Sequence, residues 1–113
     1  MRTLFLGIDS GTQSTKVLVI EARRGRVVGE AARAHGLIPG LPAGAKEQHP
    51  HTWRDAAAQA MRSALKQAKA SPDEVAAIGV SGQQHGFVPL GSPFHFFGVP
   101  RLRSFWNENN FGQ

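Results

Sequence analysis

Apolar residues gather in short blocks along the first third of the chain, each closed by a polar or glycine-containing turn. Leu4-Phe5-Leu6-Gly7-Ile8 is a continuous apolar run, the pattern of a strand covered on both faces. Asp9-Ser10-Gly11-Thr12-Gln13-Ser14-Thr15 is a polar turn centred on glycine, and Lys16-Val17-Leu18-Val19-Ile20-Glu21 reads as a second buried strand rich in β-branched residues. After the turn Ala22-Arg23-Arg24-Gly25, the segment Arg26-Val27-Val28-Gly29-Glu30-Ala31 gives a third. Strands joined by tight turns make an antiparallel meander. From His35 to Pro50 six glycines and prolines break any period, so a long loop is expected, of a length that suggests function or mobility.

Thr52 then opens a helix, with Thr52 and Asp55 in the spacing of a loose capping box. Trp53, Ala57, Ala60, Met61, Ala64, Leu65 and Ala68 form one apolar stripe, and Arg54, Gln59, Arg62, Lys66 and Lys69 fall outside it. Trp53 and Met61 are therefore expected in the core. Ser71-Pro72-Asp73-Glu74 carries start signals for a single further turn, because Val75-Ala76-Ala77-Ile78-Gly79-Val80 reads as another buried strand. Ser81-Gly82-Gln83-Gln84-His85-Gly86 is a polar loop, and Phe87 to Leu90 resumes an extended path. Beyond Gly91 the periodicity is lost. The elements predict an α/β architecture: a mixed sheet, made of the meander plus a later strand, and one long amphipathic helix.

Length and composition narrow the function classes. A chain of 113 residues makes one domain, large enough for a core without covalent staples. It has no cysteine, which removes disulfides, thiolate metal sites and a cysteine nucleophile. The apolar start is cut off by Asp9, too short for a secretory leader, and no run approaches the ~20 residues of a membrane span. A cytoplasmic protein without membrane contact is the expectation. The net charge is +5, yet the basic residues are scattered and not interleaved with aromatic rings. That makes a solvated basic surface the reading, in preference to a nucleic-acid partner.

Two loops carry candidate chemistry. In the first, Gly11 permits close backbone approach, Thr12, Ser14 and Thr15 offer hydroxyls, Gln13 an amide and Lys16 a cation, as a phosphate chain requires. Asp9, at a strand end, is placed to hold Mg²⁺ through water. The spacing is not that of a Walker loop, and composition alone favours a plain polar hairpin. In the second, Gln84 and His85 offer donors and acceptors suited to a polyhydroxy ligand, with an ordinary hydrogen-bonded loop as the alternative. His49-Pro50-His51 lacks the further ligands of a metal site and is read as surface loop.

Taken in order, three segments resemble the opening of the FGGY carbohydrate kinase family. They are Gly7 to Lys16, Glu47-Gln48-His49-Pro50-His51-Thr52-Trp53, and Ile78 to Gly86, whose Ser-Gly-Gln-Gln-His-Gly is similar to the xylulokinase branch. The resemblance implies an actin-like (ribonuclease H-like) ATPase fold, of which residues 1–90 would be a partial N-terminal lobe and 91–113 a divergent or frayed tail. It implies ATP and Mg²⁺ as cofactors and phosphoryl transfer to a ketopentose, D-xylulose or a similar ketose. Asp9 would orient Mg²⁺ or the phosphates, Gly11, Thr12, Gln13, Ser14, Thr15 and Lys16 would face them, and Gln84 and His85 would bond the sugar. The family's base aspartate lies far downstream of the matching motifs, so the chain is expected to be an N-terminal fragment, truncated or frameshifted and inactive alone. Its partner would be a C-terminal lobe or a second copy. The alternatives are another kinase of the family, of glycerol or gluconate type, and a non-catalytic module binding sugar or polyanion.

Overall fold

A computed structural model describes residues 1–83, together with the backbone of four short strands, Gly86–Phe87, Leu90–Gly91, His95–Phe96 and Leu102–Ser104. Strands β1 (Leu4–Ser10), β2 (Ser14–Glu21) and β3 (Arg26–Ala34) form the expected meander, each extending beyond its apolar block. A short β4 (Lys46–Gln48) lies inside the predicted loop, followed by helix α1 (Pro50–Gln67), a 3-10 turn (Pro72–Glu74) and β5 (Val75–Gly82). The main sheet runs β3-β2-β1-β5, with β5 parallel to β1 and the other pairs antiparallel. β4 pairs instead with Leu102–Ser104, which also pairs with Gly86–Phe87.

The core lies between the sheet and α1. Leu4, Leu6, Val17 and Val19 point from alternate positions of β1 and β2 towards Ala60, Ala64 and Ala68. The buried line on the helix is Ala56, Ala60, Ala64 and Ala68, all small, which lets helix and sheet approach closely. Gly29 on β3 completes that contact: a Cβ there would collide with the Ala64 carbonyl oxygen and stand 3.0 Å from the Ala68 Cβ. Trp53, Ala57, Met61 and Leu65 flank this line, half-buried, so Trp53 and Met61 sit at the margin of the core. Arg2 ties the sheet to the helix end. Its guanidinium donates to the Ala68 and Lys69 carbonyls at 3.1–3.3 Å and pairs with Glu74 at 3.2 Å.

Two expectations are corrected. The helix begins at Pro50, with His49 at the N-cap and no side-chain cap, because proline's fixed φ and missing N–H suit the first helical position. Thr52 is already inside the first turn, where its hydroxyl donates back to the His49 carbonyl at 2.7 Å. The capping box expected at Thr52 occurs instead at Ser71 and Glu74, on the turn before β5. Nor are the apolar strands covered on both faces among the described residues: Phe5 is 41% exposed, Ile78 54% and Val80 70%. α1 lies over β3 and β2 and only grazes β1, so β5 and the far face stay open among the described residues.

Candidate functional site

The register of the hairpin sorts the site residues by face. Side chains alternate along a strand, and directly paired residues share a face. Thr15, Val17 and Val19 therefore point to the helix side, and Lys16 and Leu18 to the open side. Asp9 is paired with Lys16 on one flank and with Ser81 on the other, so all three stand on the open side. The Ser81 hydroxyl donates to Asp9 Oδ1 at 3.1 Å. A carboxylate has about four acceptor positions, so this bond leaves Asp9 able to take others. Together Asp9, Lys16 and Ser81 border a depression of about 470 Å³ whose floor includes Gly7 and Gly79. Neither glycine has an atom within 4 Å of where a side chain would start, so their lack of one keeps the floor open.

The hairpin tip is held from several directions. Gly11 N–H donates to the Ser14 carbonyl at 2.9 Å, closing the turn. From outside the hairpin, the His35 N–H donates to the Gln13 carbonyl at 2.9 Å, and Gln48 Nε2 to the Thr12 carbonyl at 2.7 Å. Thr12, Gln13 and Ser14 are exposed. Thr15 is not: its side chain is fully buried, with its hydroxyl 3.4 Å from Ser10 Oγ and 3.2 Å from His35 Nε2. Its hydroxyl thus faces the helix side, away from Asp9 and Lys16. Burial pushes the His35 imidazole below its usual pKa, with the backbone of Ser14 opposing in part.

The second loop leaves the sheet beside the first. β1 and β5 are parallel, so both end at the same edge, and the Gln83 N–H donates to the Ser10 carbonyl at 3.1 Å. Ligands of open α/β sheets gather beyond such strand ends. Gln84 and His85 lie outside the described residues; the strand that delivers them ends two residues earlier, alongside Ser10. Among the described residues no three metal-ligating side chains converge, and no helix is long and apolar enough to cross a membrane.

Sequence reasoning passed over four residues of this edge. Ser81 stood in the sugar loop without a role of its own. Gln48 was visible only as part of a motif, and Trp53 was assigned to packing, whereas its indole N–H donates to Gln48 Oε1. His35 gave no signal, since what marks it is a contact with a residue twenty positions away.

A hairpin whose tip faces solvent beside a parallel strand, backed by a single helix, is the opening of an actin-like ATPase lobe. Residues 4–92 match the FGGY family of carbohydrate kinases, N-terminal domain, and the chain belongs to that family. A xylulose kinase from Haemophilus influenzae is 45% identical over 91 residues, 77% of this chain and 18% of that protein. One from Arthrobacter sp. is 39% identical over 107 residues, 95% of this chain and 96% of the compared sequence. Among solved structures, a gluconate kinase from Lactobacillus acidophilus superposes with a TM-score of 0.79 at 24% identity, over 91% of this chain and 20% of that one. At that identity the likeness speaks for the fold. The chain spans about a fifth of the Haemophilus protein it matches.

Proposed function

We propose that this chain supplies the phosphate-facing and sugar-facing edge of an ATP-dependent ketopentose kinase, with D-xylulose as substrate. The observation that carries the reading is the junction of the two loops, Ser81 on Asp9 and Gln83 on Ser10. It joins the acid, the cation and the tip amides to the edge where β5 ends, which supports a site shared with the residues that follow. Phosphoryl transfer is mostly a matter of alignment and charge neutralisation, and that is what such residues provide.

The residues present fit Mg²⁺ and ATP. Mg²⁺ usually keeps several waters and takes one or two carboxylates plus phosphate oxygens, so a single acid at a strand end suffices. Asp9 would hold its hydration shell, with Ser81 fixing the carboxylate. When bound, the ion supplies charge neutralisation at the phosphates. Lys16 offsets further negative charge from the same face, and the amides of Thr12, Gln13 and Ser14 bond phosphate oxygens, the Gly11 N–H being committed to the Ser14 carbonyl. Thr15 contributes from beneath, holding the hairpin through Ser10 and His35. Gln84 and His85 bond the ketose hydroxyls and orient one towards the phosphates. A base for that hydroxyl is not among the residues named, and binding without turnover is the expectation for them.

The test is an NMR titration of the 113-residue chain. Mg·ATP should shift the amides of residues 9–16 and 81–83, and D-xylulose those of 84 and 85. Glycerol and gluconate serve as competing substrates from the same family. Shifts confined to other surfaces, or binding only to DNA in a salt-sensitive manner, would refute the reading in favour of a polyanion-binding module. ADP release by the purified chain with D-xylulose would refute its inactivity.

A further inference from the structure

The segment between β3 and α1 is absorbed by neither the core nor the loops just described, yet it holds Gln48, a polar residue only 4% exposed. Its side-chain amide joins two groups with fixed roles. The Trp53 indole N–H can only donate and the Thr12 carbonyl can only accept. The amide must therefore turn its oxygen to Trp53 and its nitrogen to Thr12, and both bonds are made. Of the side chains of this length, only an amide offers both an acceptor and a donor. A carboxylate would satisfy Trp53 and repel the carbonyl.

We propose that Gln48 is a positioning residue for the hairpin tip, with Trp53 as the group that orients it. This rests on the reading of that tip as phosphate-facing. The physical basis is the planarity of the trans peptide, in which each carbonyl points opposite to the N–H of the next residue. Gln48 holds the Thr12 carbonyl and the His35 N–H holds the Gln13 carbonyl, both from outside the hairpin. The N–H groups of Gln13 and Ser14 are consequently aimed away from those anchors, two successive donors set before any anion arrives. Pre-setting them removes an ordering cost from binding. The anchor is itself fixed. The Glu47 carbonyl accepts the Ile38 N–H at 2.8 Å, and Pro50 starts the helix that carries Trp53.

The experiment compares the chain with Gln48→Ala, Gln48→Glu and Trp53→Phe, using amide hydrogen exchange and titration with Mg·ATP. Gln48→Ala should speed exchange of the Gly11 and His35 amides, which are bonded to the tip carbonyls, and weaken Mg·ATP about three- to tenfold, the range one neutral hydrogen bond supplies. Exchange in the middle of α1 should stay as it was. Gln48→Glu should match or exceed that loss, and Trp53→Phe, which removes the orienting N–H but leaves an aromatic ring, should fall between. Wild-type affinity in Gln48→Glu and Trp53→Phe would overturn the proposal while leaving the phosphate-facing reading intact. If the parent chain binds no Mg·ATP, that reading fails instead. Exchange then decides the clamp by itself: faster tip exchange in the variants upholds it, unchanged exchange overturns it.

Discussion

Gly29→Ala should unfold this protein more easily than any other single-methyl change on the sheet. The added Cβ would collide with the Ala64 carbonyl oxygen and press on the Ala68 Cβ at 3.0 Å and its nitrogen at 3.1 Å. Two of those three are helix backbone, which cannot swing aside as a side-chain tip can. The helix must lift from β3, loosening Ala60, Ala64 and Ala68 from Val17 and Val19. Overpacking of this kind costs roughly 1–3 kcal/mol. Replacing glycine stiffens the unfolded chain and returns about 0.4–1 kcal/mol where the native backbone is compatible. The collision involves backbone, so the upper part of the first range applies, and a net loss of about 2 kcal/mol is expected. With a urea slope of about 1–3 kcal/mol per molar, the midpoint should fall by about 1 M. Gly7→Ala is the control, since nothing stands within 4 Å of its Cβ on the open face. A Gly29→Ala midpoint matching the parent, or an equal loss in Gly7→Ala, would refute the close-packing argument.

Three further outcomes follow from the same geometry. Thr15→Val removes the hydroxyl that meets His35 and Ser10; it should destabilise by about 1–2 kcal/mol in urea and weaken Mg·ATP less than Asp9→Asn does, because that hydroxyl faces the helix side and supports the hairpin from beneath. Asp9→Asn should do the reverse, weakening Mg·ATP at least tenfold in calorimetry with little change in the urea midpoint, since Asp9 is exposed and holds only Ser81 among the bonds described. His35 is depressed in the folded state, so the unfolded chain binds more protons between its folded value and about 6.5; stability should therefore drop as pH falls through that window and level off below it, and His35→Gln should flatten this part of a pH series of urea midpoints.

Much of the fold was legible because strands and helix differ in period. The meander, the long helix and the existence of a later strand follow from apolar blocks and their turns, whereas the parallel pairing of that strand with β1 does not. The phase of the helix was read less well: in Ala56-Ala57-Ala58 any of three alanines could face inwards, and the buried line passes through Ala56 and not Ala57. Its start was displaced because Pro50 outcompetes a threonine cap. Apolar residues at successive positions of β1 and β5 signal two faces able to be covered, and only packing tells that, among the described residues, β1 is covered on the helix side alone and β5 on neither. In the site, Asp9 and Lys16 could be read from the sequence as polar residues at the ends of buried strands. Gln48 could not, because its role requires Thr12 and Trp53 to arrive at either side of it.

The hairpin serves stability and recognition at once because its period is two. Ser10 and Thr15 face the helix side and Asp9 and Lys16 the open side, although each is the direct neighbour of the other kind. A slip of one residue by β2 against β1 would turn β2 over, setting the Lys16 ammonium against Ala60 and Ala64 and turning Val17 and Val19 to the open face. Burying unpaired charge costs far more than a few kcal/mol, so the apolar positions fix the register on which the site depends. The glycines of the open face complete the division. Gly7 and Gly79 occupy paired positions where bulk would fill the depression next to Asp9, whereas Gly29 occupies a position where bulk would displace the helix. The same residue type thus keeps space for a ligand on one face and removes it between sheet and helix on the other, and each role can be probed without disturbing the other.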